Sequence, residues 1–240
     1  MRKENEIQIF QKGFNYSQDG PGNRLVYHLQ GCNFSCKWCS NADSIPHENP
    51  NAKEYSVDEL FDEILRSKMM FFDGGGVTFT GGEVCMQSKE LLLLLSKLKE
   101  EGINTCIESN ASLPSVKDIA EFIDYLIVDF KHFDDEMHKK WVGVSNKTVK
   151  ENIEYFLSSG RQIHIRIPVI HGINDNPQRF ADYFKLLDTS NAVFEFLAYH
   201  EFGKDKWQGN YEISDGFLPS GTIAEFRETF ESYGMKTVVT

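Results

Sequence analysis

Leu25-Val26-Tyr27-His28-Leu29 runs straight into Gln30-Gly31-Cys32-Asn33-Phe34-Ser35-Cys36-Lys37-Trp38-Cys39-Ser40-Asn41. The first five residues form an apolar run of strand length, and the loop after them carries three cysteines spaced Cys-x3-Cys-x2-Cys. Delivery of ligand-type side chains at the C-terminal end of a strand is the layout of parallel α/β folds. The same arrangement recurs along the chain. Val77–Phe79, Asn104–Glu108, Tyr125–Asp129, Ile163–Val169 and Val193–Leu197 read as strands. Several of them end in polar residues: Thr80-Gly81-Gly82-Glu83, Glu108-Ser109-Asn110, Asp129-Phe130-Lys131 and Tyr199-His200.

Amphipathic stretches between these runs read as helices over Val57–Ser67, Lys89–Glu101, Ser115–Phe122, Val149–Ser158, Pro177–Leu187 and Thr222–Tyr233. Ser56 and Glu59 have the spacing of a capping box. Gly102, Gly160 and Gly234 stand where a left-handed C-cap is wanted. Alternating strands and helices imply βαβ units and a parallel sheet. About six such units fall short of a closed eightfold barrel. The expected fold is therefore an α/β, partial open (β/α)6 TIM-like barrel in a single domain over residues 1–240. A flat doubly wound sheet is the alternative.

Composition narrows the function. Lys plus Arg number 25 against 36 Asp plus Glu, a net charge of −11 over 240 residues. That balance argues against nucleic acid and against an anionic membrane surface, both of which call for basic faces. No leader-like apolar stretch follows the N-terminal basic residues, and Leu91–Leu95 is too short to cross a bilayer. A cytoplasmic location is expected. In a reducing compartment five cysteines, an odd number, do not suggest a disulfide framework.

Three thiolates in one tight loop suit a cubane iron–sulfur cluster that keeps one iron without a protein ligand. A structural zinc site would need a fourth ligand, for which His28 and His47 are the nearest candidates. Cys85 and Cys106 read as small core residues. Elsewhere each motif has a plainer reading beside the functional one. Gly81-Gly82-Glu83 is a Gly-rich turn, or a backbone that approaches a ligand with Glu83 as acceptor for an ammonium. Asp129 and Lys131 are a surface ion pair, or contacts for a ribose and a carboxylate. Arg166, inside an apolar run, needs an anionic partner, which a structural salt bridge or a ligand carboxylate would supply. His200 is a loop histidine with no decisive spacing. Asp19-Gly20-Pro21-Gly22 is a turn whose Asp19 can line the mouth of an active site.

The cysteine spacing, with Trp38 before the third cysteine, resembles the signature of the radical S-adenosylmethionine (SAM) superfamily. Nearly the whole chain resembles its glycyl-radical-enzyme activating enzymes. The resemblance runs through Asp19–Gly22, the cysteine loop, Gly81-Gly82-Glu83, Thr105–Asn110, Asp129–Lys131, Trp141–Asn146, Ile165–Val169 and Tyr199–Lys204. It implies a [4Fe-4S] cluster on Cys32, Cys36 and Cys39. It implies SAM held by Trp38, Gly82, Glu83, Asp129, Lys131, Arg166 and His200, with Asp19 and Arg166 at the reacting centre. It also implies hydrogen abstraction from a backbone glycine of a protein partner of the pyruvate formate-lyase type, with flavodoxin or ferredoxin as electron donor. Glu108-Ser109 replaces the Asp-Thr of the formate-lyase type beside a monovalent-cation site, so any such site here would use Glu108 with Asp129. No cysteine lies between Cys39 and Gly81, so no ferredoxin-like insert is expected. Two competing readings are a radical SAM enzyme acting on a small molecule and an iron–sulfur electron carrier.

Overall fold

The computed structural model describes residues 5–207 and 211–239. Its strands are β1 (Glu6–Tyr16), β2 (Asn23–Leu29), β3 (Lys53–Ser56), β4 (Gly76–Gly81), β5 (Thr105–Ser109), β6 (Tyr125–Asp129), β7 (Ile163–Val169), β8 (Ala192–Ala198) and β9 (Lys236–Val238). The helices are α1 (Val57–Arg66), α2 (Ser88–Glu100), α3 (Val116–Ala120), α4 (Asp135–Val142), α5 (Lys147–Ser158), α6 (Pro177–Phe184) and α7 (Thr222–Ser232). The strands follow the order β3-β1-β2-β4-β5-β6-β7-β8-β9 in one open sheet. β1 is antiparallel to β2 and to β3, whereas β2, β4 and β5 are parallel, as are β7, β8 and β9.

All six expected strands form, within a residue or two of their expected ends. Four further elements lie outside the sequence reading. In β1 only Ile7 and Ile9 are buried while Gln11–Phe14 are exposed, so the strand lacks an alternating pattern over most of its length. β3 and β9 are short polar edge strands, and α4 is a mainly charged helix.

The chain divides into two compact units. The first comprises residues up to Asn33, 43–109 and 113–127. Its core is built from Val77, Phe79 and Ile107 with Leu60, Ile64, Leu91, Leu94, Leu95 and Leu98, all fully buried. β4 and β5 are buried on both faces, as parallel strands covered by helices require. Ser56 and Glu59 complete the expected capping box of α1. The Asp19–Gly22 turn joins β1 to β2. A side chain at Gly22 would meet the backbone of Phe72, Asp73 and Gly75 at 2.5 Å, and φ is +68° there, so only glycine fits.

The second unit comprises residues 34–42, 110–112 and the chain from Val128 onward. Its core is a phenylalanine cluster. Phe184 meets Phe194 at 4.8 Å between ring centroids, and Phe196 meets Phe230 at 4.8 Å. β7 buries Ile163, Ile165, Ile167 and Val169 on one face, which leaves His164, Arg166 and Pro168 on the other. The β7 pattern is thus the physical reason an arginine can sit in an apolar run. Among the described residues no helix is long and apolar enough to cross a membrane.

Candidate active site

In the first unit the chain leaves β2 at Leu29 and reaches Cys32 by way of Gly31. The Gly31 amide donates to the Ser44 carbonyl at 2.8 Å and the Cys32 amide to the Ile45 carbonyl at 3.1 Å. Gln30 is fully buried, and its Nε2 donates to the carbonyls of Asp43 and Pro46 at 3.1 and 2.6 Å. The return segment after the cysteine loop is thereby fixed to the end of β2.

The Gly-Gly-Glu motif packs directly on this junction. The Gly82 amide donates to the Leu29 carbonyl at 2.9 Å, and the Glu83 amide donates to the Gly31 carbonyl at 2.8 Å. A Cβ on Gly82 would collide with the Gly31 carbonyl oxygen. Glycine is required there because two backbones touch. The Glu83 side chain is fully buried; its Oε1 accepts from Ser109 Oγ at 2.7 Å and from the Cys85 amide at 3.0 Å. Glu108, 8% exposed, accepts from Thr80 Oγ1 at 2.7 Å.

Asp19 lies at the other end of β2 from Cys32. Its Oδ2 accepts from Asn15 Nδ2 at 2.5 Å, and its carbonyl accepts from Thr78 Oγ1 at 2.7 Å. Arg24, fully buried, holds this turn. Nε donates to Thr78 Oγ1 at 2.7 Å and Nη2 to the Val77 carbonyl at 2.7 Å. Nη1 donates to the Pro21 carbonyl at 3.1 Å and to Asn104 Oδ1 at 2.9 Å. The sequence reading passed over Arg24, since a charge at a strand's first turn looks unremarkable.

In the second unit the rest of the cysteine loop is braced twice. The Ser35 amide donates to the Val142 carbonyl at 2.9 Å and the Lys37 amide to the Trp141 carbonyl at 3.0 Å. The Trp141–Asn146 motif therefore serves as a dock for the loop. Trp207 Nε1 donates to the Cys39 carbonyl at 3.1 Å, and Lys206 Nζ donates to the Ser40 carbonyl at 3.1 Å. A side chain on Gly203 would strike Ser40 Cα at 2.5 Å. These ties span more than 160 residues, a separation that hides them from sequence inspection. Cys36 and Trp38 are buried, and Cys39 is partly so. Burial pushes the Cys39 thiol up, while Lys131 and Lys206 pull the other way.

Asp129, Lys131 and Arg166 come together in this unit. Lys131 Nζ lies 3.1 Å from Asp129 Oδ2, and Arg166 Nε lies 3.2 Å from Asp129 Oδ1. Burial pushes the Asp129 carboxyl up, but the two cations more than offset this and hold it at about 2. Lys131 is raised, since the Asp129 carboxylate outweighs the opposing effect of burial. Lys131 and Arg166 thus place two cations beside Asp129, side chains of the kind that bind a ligand carboxylate. His200 stands beside Phe202, rings stacked at 4.3 Å, and burial lowers its pKa below the usual histidine value.

Among the described residues no three His, Cys, Asp or Glu side chains are gathered as ligands of one metal ion. Cys32, Cys36 and Cys39 are carried by one loop and none is in a disulfide, and three thiolates at this spacing suit a cubane, in which each would ligate a different iron. Lysines 131 and 206 near Cys39 suit the negative charge of such a group.

Residues 26–184 match the Radical SAM superfamily, and the chain belongs to it. The [4Fe-4S] cluster and SAM are the cofactors of that superfamily, and its partial open barrel is the fold observed here. Within it the chain is similar to activating enzymes. It is 32% identical over 232 residues to pyruvate formate-lyase 1-activating enzyme of Escherichia coli strain K12, covering 92% of this chain and 93% of that protein. It is 30% identical to 4-hydroxyphenylacetate decarboxylase activating enzyme of Clostridioides difficile strain 630, covering 99% of this chain and 97% of that protein. That alignment runs over 308 positions against 240 residues here, so the relative carries stretches without counterpart in this chain. A solved domain of pyruvate-formate lyase-activating enzyme from Bacteroides vulgatus ATCC 8482 superposes with a TM-score of 0.58 at 24% identity. It covers 70% of this chain and 99% of that one.

Proposed function

We propose that this chain activates a glycyl radical enzyme by abstracting a hydrogen atom from one of its backbone glycines, using SAM and a [4Fe-4S] cluster. The observation that carries the proposal is the hydrogen bond from the Glu83 amide to the Gly31 carbonyl, which puts the Gly-Gly-Glu turn against the residue preceding Cys32. When bound, the cluster supplies the electron for reductive cleavage of SAM. The protein's part is to bind, orient and exclude water. Cys32, Cys36 and Cys39 would hold the cluster. Gly82 and Glu83 would take the SAM ammonium, and Trp38, within the cysteine loop, would help to bind SAM. Lys131, Arg166 and Asp129 would contact carboxylate and ribose, and His200 the adenine. Asp19 would meet the partner's glycine loop. Residues 1–240 would act as one radical SAM domain with a single cluster. A flavodoxin or ferredoxin would donate the electron in the cytoplasm. Glu108, in the first unit, would be a candidate ligand of a monovalent cation.

The relatives favour a partner of the pyruvate formate-lyase type. The test is electron paramagnetic resonance after mixing the reduced, reconstituted protein with SAM and a glycyl radical enzyme encoded nearby. A glycine-centred doublet on the partner, with stoichiometric 5′-deoxyadenosine and methionine, is expected. Alteration of a small molecule, with no doublet on any such partner, would replace the proposal with a small-molecule radical SAM reaction.

A further inference from the structure

Glu83 and Ser109 belong to the same compact unit, beyond and at the ends of the neighbouring parallel strands β4 and β5. Ser109 Oγ donates to Glu83 Oε1 at 2.7 Å, with Glu83 fully buried and Ser109 3% exposed. The adjoining contact runs the other way, from Thr80 Oγ1 on β4 to Glu108 Oε2 on β5 at 2.7 Å. The two strand ends therefore exchange hydroxyl for carboxylate in both directions. The Cys85 amide also reaches Glu83 Oε1, at 3.0 Å, but it comes from Glu83's own turn and moves with it. Ser109 reaches in from a different strand and fixes the turn of the carboxylate about its last bond. It also differs from the partners of Asp129. A hydroxyl is a neutral donor, so it orients the Glu83 charge without cancelling it. Lys131 and Arg166 do cancel the charge of Asp129.

We infer that Ser109 is a positioning residue for the SAM site, holding the Glu83 carboxylate in the orientation that meets the ligand's ammonium. The inference rests on the proposed role of Glu83. Removal of the hydroxyl takes away the hydrogen bond that reaches Glu83 Oε1 from β5 while the Cys85 amide stays, so the carboxylate is held less firmly and the ammonium contact weakens. One hydrogen bond to a charged group corresponds to about a tenfold change in affinity.

The test is calorimetric titration of SAM into the anaerobically reconstituted holoenzyme, with iron content and melting temperature recorded for every variant. Ser109→Ala is expected to weaken SAM about tenfold, and Ser109→Thr to restore affinity to within about twofold. The desamino analogue of SAM, which has no ammonium, is expected to bind wild type and Ser109→Ala alike. Ser109→Val against Ser109→Thr repeats the comparison at constant shape should Ala disturb the fold. Glu83→Gln separates the two levels of the argument. If Glu83→Gln weakens SAM while Ser109→Ala and Ser109→Val bind as wild type, the positioning role is overturned and the Glu83 assignment stands. Equal loss for SAM and its desamino analogue also overturns it, since that marks a merely structural hydroxyl. If Glu83→Gln itself binds normally, the Glu83 assignment falls and the inference with it.

Discussion

Lys131 Nζ lies 3.1 Å from Asp129 Oδ2, two residues along the same chain segment, and the pair is largely shielded from solvent. The Asp129 carboxyl is held at about 2, below its ordinary value of 3.8. A depressed carboxyl contributes stability that is present above its unfolded pKa and lost as pH falls through the folded one. Lys131 is raised, so its contribution is present below its ordinary 10.5 and lost as pH rises beyond that value. The pair therefore makes its full contribution to stability from about pH 5 to about pH 10, between the unfolded pKa values of its two members. Asp129→Asn is expected to cost about 2 kcal/mol at neutral pH, with the difference from wild type closing between about pH 4 and pH 2. Urea unfolding across that range checks it. A difference that does not change with pH would contradict the ion-pair account.

Two glycine substitutions should behave oppositely. Gly82→Ala drives a methyl into the Gly31 carbonyl oxygen, a backbone atom that cannot swing aside. The displacement falls on the start of the cysteine loop, so iron loading should drop along with melting temperature. A Cβ on Gly13, in β1, would meet nothing within 4 Å, and Gly13→Ala should leave both unchanged. Iron assay and thermal unfolding of the two proteins decide the matter.

Arg24 gives a third prediction. It is fully buried, and each of its described hydrogen-bond acceptors is uncharged: Thr78 Oγ1, Asn104 Oδ1 and backbone carbonyls, including that of Pro21. Burial accordingly lowers its pKa. Truncation to Ala strands several buried acceptors and should cost about 3 kcal/mol. Arg24→Lys should recover little, because an ammonium cannot reproduce the planar fork. Hydrogen exchange should show the Asp19–Gly22 turn opening before β2.

Val77–Phe79 was legible because burial on both faces leaves a dense apolar signal, and Ile163–Val169 because burial of one face leaves an alternating one. β1 was not, since its exposed half from Gln11 to Phe14 has no reason to alternate. The site residues were legible as types at strand ends, and the burial pattern of β7 accounts for Arg166. Their supports were not. Trp207 and Lys206 act through backbone carbonyls far away in sequence, and a carbonyl has no residue identity to read; Arg24 reaches Thr78 and Asn104, more than 50 residues on. In sequence Ser109 is one residue of a motif, and nothing there places its hydroxyl 2.7 Å from Glu83 Oε1.

The cysteines give the last prediction, because burial and chemistry rank them differently. Cys106 is fully buried and Cys85 nearly so, while Cys32 and Cys39 are partly exposed and Cys36 is buried within the braced loop. Burial pushes the Cys85 thiol far up, beyond use as a thiolate at neutral pH. Reactivity should therefore follow the loop and not accessibility alone. Anaerobic reconstitution should give about four irons per chain in the wild type. Cys32→Ala, Cys36→Ala and Cys39→Ala should each lose the cluster, since two thiolates cannot retain a cubane that already lacks one protein ligand. Cys85→Ala and Cys106→Ala should keep full iron content. Cys106→Ala should nonetheless melt earlier, because its sulfur fills space beneath the Asp19–Gly22 turn, 3.2 Å from where a Cβ on Gly20 would stand. The loss there should be on the order of 1 kcal/mol, the usual cost of a small cavity. Iron content and visible absorbance, measured beside melting temperature, separate ligation from packing. Full iron in Cys36→Ala, or zinc as the only metal bound by the wild type, would overturn the cluster assignment.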